Sequence, residues 1–256
     1  MHGFPDDMRI YDELIPYLVA GGRRVVAFDF LGFGSSDKLP GAVYSFAQQL
    51  GDLAAVVETL QLGPVVPVAH DAAGPAGINF AIEHPDRVAA LCILNTFYAA
   101  APEARLPELI ELFATPGLKA LAMAVAQSPE QLGWLLRFQQ KIFYEAMAEH
   151  QRAHFAAALA PVINDTFLHE PTSGAAFVQL TAQMFEEVGR NTARLDAMKA
   201  LAMPVKLIWG KDDPYFGAGV AEDFRSHLKQ ASLLLIEAGH WLQSDAPQAV
   251  AKEMLS

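Results

Sequence analysis

Apolar residues gather in five short runs, at 24–29 (RVVAFD), 65–69 (VVPVA), 88–94 (VAALCIL), 204–209 (PVKLIW) and 232–236 (SLLLI). They are nearly continuous rather than alternating, which predicts strands covered on both faces, as in a parallel sheet. The stretches between the first three runs change period. Residues 45–62 open with Ser45 and carry Phe46, Leu50, Leu53, Val56 and Val57 at helical spacing. Residues 74–84 read as a second helix that stops before Pro85. Strand and helix in alternation predict an α/β fold, a mostly parallel sheet with helices on both faces. Between 98 and 200 the strand signal vanishes. That stretch is rich in Ala, Leu, Met, Gln and Phe, with breaks expected near Pro116-Gly117, Pro129, Pro161 and Pro171. A helical block between two strands of one sheet reads as an inserted lid. The expected organisation is a core of 1–97 and 201–256, ending in a helix near 246–255, with a helical cap over 98–200.

Composition narrows the chemistry. The 256 residues carry 18 basic and 29 acidic side chains, a formal charge of −11. That disfavours a nucleic-acid partner, which needs a basic face. Hydrophobic residues make up 52% of the chain, enough for a large core, yet no apolar run reaches the ~18 residues of a membrane span. A cytoplasmic protein without a signal peptide is expected. The single cysteine, Cys92, lies in an apolar run and forms no internal disulfide. Gly32 and Gly34 follow a predicted strand, but the third glycine of a dinucleotide loop is absent. His150 and His154 are spaced to share a metal, yet no third ligand stands near. Neither cofactor nor metal is expected.

The most informative segment is Val68-Ala69-His70-Asp71-Ala72-Ala73-Gly74. It follows a predicted strand and opens a helix, and small residues flank one reactive side chain. A nucleophile elbow has this requirement, because its tight turn tolerates only small neighbours. An Asp at a helix N-cap explains the same residue without chemistry. Downstream, Trp209-Gly210-Lys211-Asp212-Asp213-Pro214 ends the fourth run, and Ala238-Gly239-His240-Trp241-Leu242 follows the fifth. The order is carboxylate at the elbow, acid, then histidine.

In these segments the chain resembles the α/β-hydrolase superfamily, and within it the aspartate-nucleophile branch of epoxide hydrolases and haloalkane or haloacetate dehalogenases. The likeness spans nearly the whole chain. It also rests on His2-Gly3-Phe4-Pro5, the Asp29 to Ser36 loop and His84-Pro85-Asp86-Arg87-Val88. The resemblance implies Asp71 as nucleophile, His240 as base and, by the spacing Gly-x-x-Asp from Gly210, Asp213 rather than Asp212 as acid. Asn95 fills the position where some members carry the acid, and can only orient another group. The resemblance also implies an oxyanion hole from the backbone N–H groups of Phe4 and Ala72. His2 and His70 read as packing residues.

A carboxylate is ionised at neutral pH without help and attacks sp3 carbon, giving a stable ester. On a carbonyl it would give an anhydride. Asp71 therefore favours a small apolar epoxide or halide as substrate, with water completing the reaction. The chain lacks the Trp or Arg that usually follows the nucleophile in the dehalogenases; Ala72 stands there and leaves room for a bulkier substrate. By the same resemblance the candidate leaving-group donors are Tyr98 and Tyr144 for an epoxide and Trp134 for a halide, while Arg137 could stand in for the arginine that holds a haloacetate carboxylate. Epoxide hydrolysis is the first expectation, dehalogenation the second. A fold retained for binding, with little activity, is the third, because the resemblance places strands before the His-Gly-Phe-Pro turn and only Met1 precedes it. The opening strands are thus expected to be missing. Nothing in the sequence sets an oligomeric state.

Overall fold

The computed structural model describes residues 1–168 and 171–256. Among them, four strands form one parallel sheet in the order β1 (Val68–Asp71), β2 (Leu91–Thr96), β3 (Val205–Gly210) and β4 (Ala231–Ile236). The β2–β3 and β3–β4 contacts are in regular register, for example Ile93 against Leu207 and Leu207 against Leu233. The β1–β2 ladder shifts by one residue between His70 and Asp71, so that Asp71 lies against Thr96. β2 is buried along its whole length, as a continuous apolar run requires.

The helices follow the same logic. Ser45 caps Phe46–Thr59, its hydroxyl accepting the N–H of Gln48 at 3.1 Å. Gly74–Glu83 starts three residues after the end of β1, and Pro247–Leu255 closes the chain. Between β2 and β3 the described residues hold helices and turns without a strand. The longest, Pro129–Ala146, buries Leu132, Leu135, Leu136, Gln139 and Phe143 on one face. The phase of that helix decides which of its side chains meet the core. No single helix among the described residues is long and apolar enough to cross a membrane.

Three expectations are corrected. Residues 24–29 form no strand. Extended backbone becomes a strand only beside a hydrogen-bonding neighbour, and this segment has no ladder. The free edge of β1 is instead engaged by Met1, whose ammonium donates to the Val68 carbonyl at 2.7 Å and whose carbonyl accepts the His70 N–H at 3.4 Å. The run at 65–69 is a strand only from Val68, with a lone bridge from Val65 to Val88, because Pro67 lacks the N–H that a ladder needs. At Pro161 no helix breaks: Glu149–His154 runs through a π-turn over Phe155–Leu159 into Ala160–Leu168, and the widened turn accommodates a proline that has no N–H to give.

Candidate active site

The site begins where β1 ends. Asp71 has φ of +49°, a left-handed conformation that a non-glycine residue adopts at a cost. The turn is held from three sides. The Thr96 hydroxyl donates to the Asp71 carbonyl. Gly74 packs so closely on Thr96 that a Cβ there would overlap its hydroxyl, and a Cβ on Gly3 would overlap Asp71 Oδ2. Glycine at 74, and at 3 on the facing turn, is therefore a steric requirement of this elbow.

The Asp71 carboxylate accepts the Phe4 N–H at Oδ2, 3.0 Å away, and the N–H of Ala72. Its Oδ1 lies 4.0 Å from His240 Nε2. Burial pushes the carboxyl above the ordinary value; His240 and the two N–H groups pull against that. On the far side of the imidazole, Asp213 Oδ2 sits 2.7 Å from His240 Nδ1. Asp213 is itself pinned by the Asn95 amide at 2.9 Å and by the N–H groups of Tyr215 and Phe216 at 2.9 and 3.1 Å. Burial works to raise its pKa, but His240 and these donors outweigh burial and leave it lowered. Asp212 is exposed and takes no part. Burial opposes charge on His240, yet Asp213 and Asp71 prevail and raise the imidazolium to about 9.

Three sequence-derived triad positions and both backbone donors thus meet at one point. The side-chain donors do not. Tyr98 is buried away from the cavity and gives its hydroxyl proton to Asn79 Oδ1 at 2.8 Å. Tyr144 is 39% exposed beside Arg152, and Trp134 is 58% exposed and stacked on Phe138. The reason is helical phase: Leu132, Leu136, Gln139 and Phe143 face inward, while Trp134, Arg137 and Tyr144 are turned away. Ala72 is fully buried and is not among the residues lining the cavity beside Asp71, so the room expected there is filled by protein. His2 accepts the Phe30 N–H at 3.2 Å and His70 pairs with the His240 carbonyl at 2.9 Å; both pack. His154 bonds to Ser244 at 2.6 Å, and the described residues contain no metal-holding cluster.

A cavity of about 40 Å³ lies against Asp71 and His240. Its wall is apolar, with Phe4, Leu136, Phe143, Ile163 and Met184, interrupted by Gln139, Gln140 and Tyr215. Tyr215 and Gln139 escaped the sequence reading. For Tyr215 a signal existed, since it stands two residues past Asp213 and must lie near the acid.

Asp6 escaped it as well. It is buried, accepts the Trp241 indole N–H at 2.7 Å on Oδ2, and has no hydrogen bond at Oδ1, which lies 3.8 Å from His2 Nδ1. Burial first, and the Asp71 charge second, push its carboxyl up to about 7. A carboxyl with a raised folded pKa contributes stability while protonated, and that contribution fades as pH climbs from the ordinary 3.8 through about 7. An Asp6→Asn variant keeps an acceptor for Trp241 without the titration. It is expected to melt close to wild type at pH 4 and above it at pH 8; equal melting temperatures at both would contradict the shift.

Comparison with known proteins places this architecture. The model of the alpha/beta hydrolase fold family matches residues 1–247. Epoxide hydrolase 3 of Xenopus tropicalis is 26% identical over 259 residues, 98% of this chain and 68% of that protein. A haloalkane dehalogenase of Mycobacterium marinum is 26% identical over 265 residues, 100% of this chain and 82% of its own. Among solved structures, a thermophilic esterase from Thermogutta terrifontis superposes with a TM-score of 0.76 at 22% identity, covering 99% of this chain and 85% of the esterase.

Proposed function

This chain belongs to the alpha/beta hydrolase fold family and is a hydrolase, and from there we propose that it works through an ester between Asp71 and an sp3 carbon of a small apolar substrate, an epoxide in the first instance. The observation that carries the reading is the carboxylate at the strained elbow. It faces an apolar cavity, with two backbone N–H groups on one side and the His240 imidazole 4.0 Å away on the other. An ester or amide substrate suits a hydroxyl or thiol nucleophile at this place; the carboxylate suits alkylation.

The charges support two half-reactions. While Asp71 is ionised, its charge helps keep His240 protonated up to about pH 9. Alkylation removes that charge. The imidazole then loses one of the partners that hold its proton and becomes a base for water, while Asp213 steadies the cation formed. Water adds to the ester carbonyl, whose oxygen takes its charge toward the N–H groups of Phe4 and Ala72. The helices over 98–200 act as the cap that shapes the cavity and admits substrate.

Displacement of halide is the second reading, favoured by the same nucleophile and by the likeness to a haloalkane dehalogenase. A paired assay separates the two: diol from styrene oxide supports the first, halide release from a haloalkane panel the second. Repeated turnover in heavy-oxygen water is expected to leave label in Asp71. Diol formed by an unlabelled protein would reject the ester route.

A further inference from the structure

We propose that Tyr215, backed by Gln139 and Glu108, is the acid that protonates the leaving oxygen as Asp71 is alkylated. This rests on the epoxide reading above and goes past it by locating the donor on the core loop of the acid, away from the three aromatic residues that the sequence suggested.

Elimination within the cavity leads there. Besides Asp71 and His240, four lining side chains carry N–H or O–H groups: Gln139, Gln140, Tyr215 and Trp241. Trp241 gives its indole proton to Asp6, and Gln140 gives an amide proton to Asn164 at 3.0 Å. Gln139 uses its Oε1 to accept the Leu109 N–H at 2.9 Å, which turns its Nε2 toward the Tyr215 oxygen, 2.6 Å away. With that oxygen already accepting, the phenol gives its own proton to Glu108 Oε2 at 2.5 Å. Gln139 Nε2 also reaches Glu108 Oε2 at 3.3 Å. The phenol therefore sits between a fixed donor and a fixed acceptor.

Tyr215 is firmly placed. Its N–H is bonded to Asp213 Oδ1 at 2.9 Å, and its ring lies edge-on to Phe143 with centroids 5.2 Å apart. Burial, then the bond to Glu108, raise the phenol above its usual pKa, so it carries its proton at neutral pH. It remains a stronger acid than the alcohol that an alkoxide becomes. Glu108 is half-buried at the start of Glu108–Ala114 and links the phenol to solvent. Burial works to raise its pKa, while the hydrogen bonds from Tyr215 and Gln139 prevail and lower it, so it rests as a carboxylate.

The step balances. An Asp71 oxygen bonds to an epoxide carbon, the carbon–oxygen bond breaks, and its electron pair stays on the oxygen. The hydroxyl of Tyr215 turns from Glu108 to that oxygen and gives it the proton. The phenolate accepts the Gln139 N–H and regains a proton from solvent by way of Glu108. Hydrolysis of the ester returns one proton to solvent from His240, so the cycle consumes epoxide and water only.

The test follows single turnovers of the full chain with styrene oxide, quenched and read by intact mass. Tyr215→Phe is expected to slow ester formation by about 10²–10⁴-fold and leave decay of the ester within about twofold. Glu108→Gln is expected to slow later turnovers about tenfold more than the first, a split that a packing defect does not produce. Thermal unfolding checks that both variants fold. A folded Tyr215→Phe protein that forms ester at the wild-type rate would overturn the assignment, and a Glu108→Gln protein without the split would overturn the route through Glu108. If a folded Tyr215→Phe protein is not obtained, the Glu108→Gln split decides in the same way. Wild type that yields neither ester nor diol would overturn the epoxide reading, and this inference with it.

Discussion

Asp71→Asn is expected to abolish ester formation and to lower turnover by at least about 10³-fold. The amide keeps the size of the carboxylate and an oxygen for the Phe4 and Ala72 N–H groups, so the elbow at φ of +49° and its contacts persist. What is lost is the anionic nucleophile. The same change has a second, independent consequence. Asp71 is one of the charges that hold His240 protonated to about 9, so the His240 pKa falls in the variant. An NMR titration of the imidazole reads this without any substrate. Turnover of the variant at the wild-type rate, with no mass adduct in either protein, would remove Asp71 from the reaction. An unmoved His240 titration would show that the two groups are not coupled across their 4.0 Å separation.

His240→Gln is expected to divide the reaction at its midpoint. Asp71 needs no base to become a nucleophile, so alkylation continues. Water then lacks its general base, and hydrolysis of the ester slows by about 10²–10⁴-fold. Intact protein gains the mass of the substrate, and peptide mapping places the adduct on Asp71. In the wild type the complementary readout is pH. The base form of His240 carries hydrolysis, so the decay rate of the ester rises with pH. Its midpoint is expected below about 9, because the Asp71 charge is gone in the alkylated protein. A pH-independent decay, or a His240→Gln protein that turns over normally, would assign the base elsewhere.

Much of this arrangement was legible along the chain. Continuous apolar runs located β2 and β3 within a few residues, since a strand buried on both faces has no polar side to show, and the run at 232–236 located β4 although that strand is only half-buried. The small residues around Asp71 declared the elbow, where Gly74 against Thr96 and Gly3 against the Asp71 carboxylate leave no room for a Cβ. The order of Asp71, Asp213 and His240 followed from motifs at strand ends. The run at 24–29 misled, because local pattern reports burial and not whether a neighbouring strand is there to bond with.

By itself, the sequence determined the sheet-forming runs, the elbow and the residue types that gather at it. These depend on side-chain size, apolar periodicity and backbone conformation, which are local properties. Tertiary structure alone decided which polar groups face the nucleophile. Trp134 and Tyr144 share a helix with Gln139, yet a rotation of a few residues sets them outside and Gln139 within the cavity. Tyr215, Glu108 and Gln139 are far apart in the chain and meet only because the Pro129–Ala146 helix packs over the loop after β3. The charge states of Asp6 and His240 likewise come from burial and from charges contributed by distant segments, and neither quantity exists until the chain has folded.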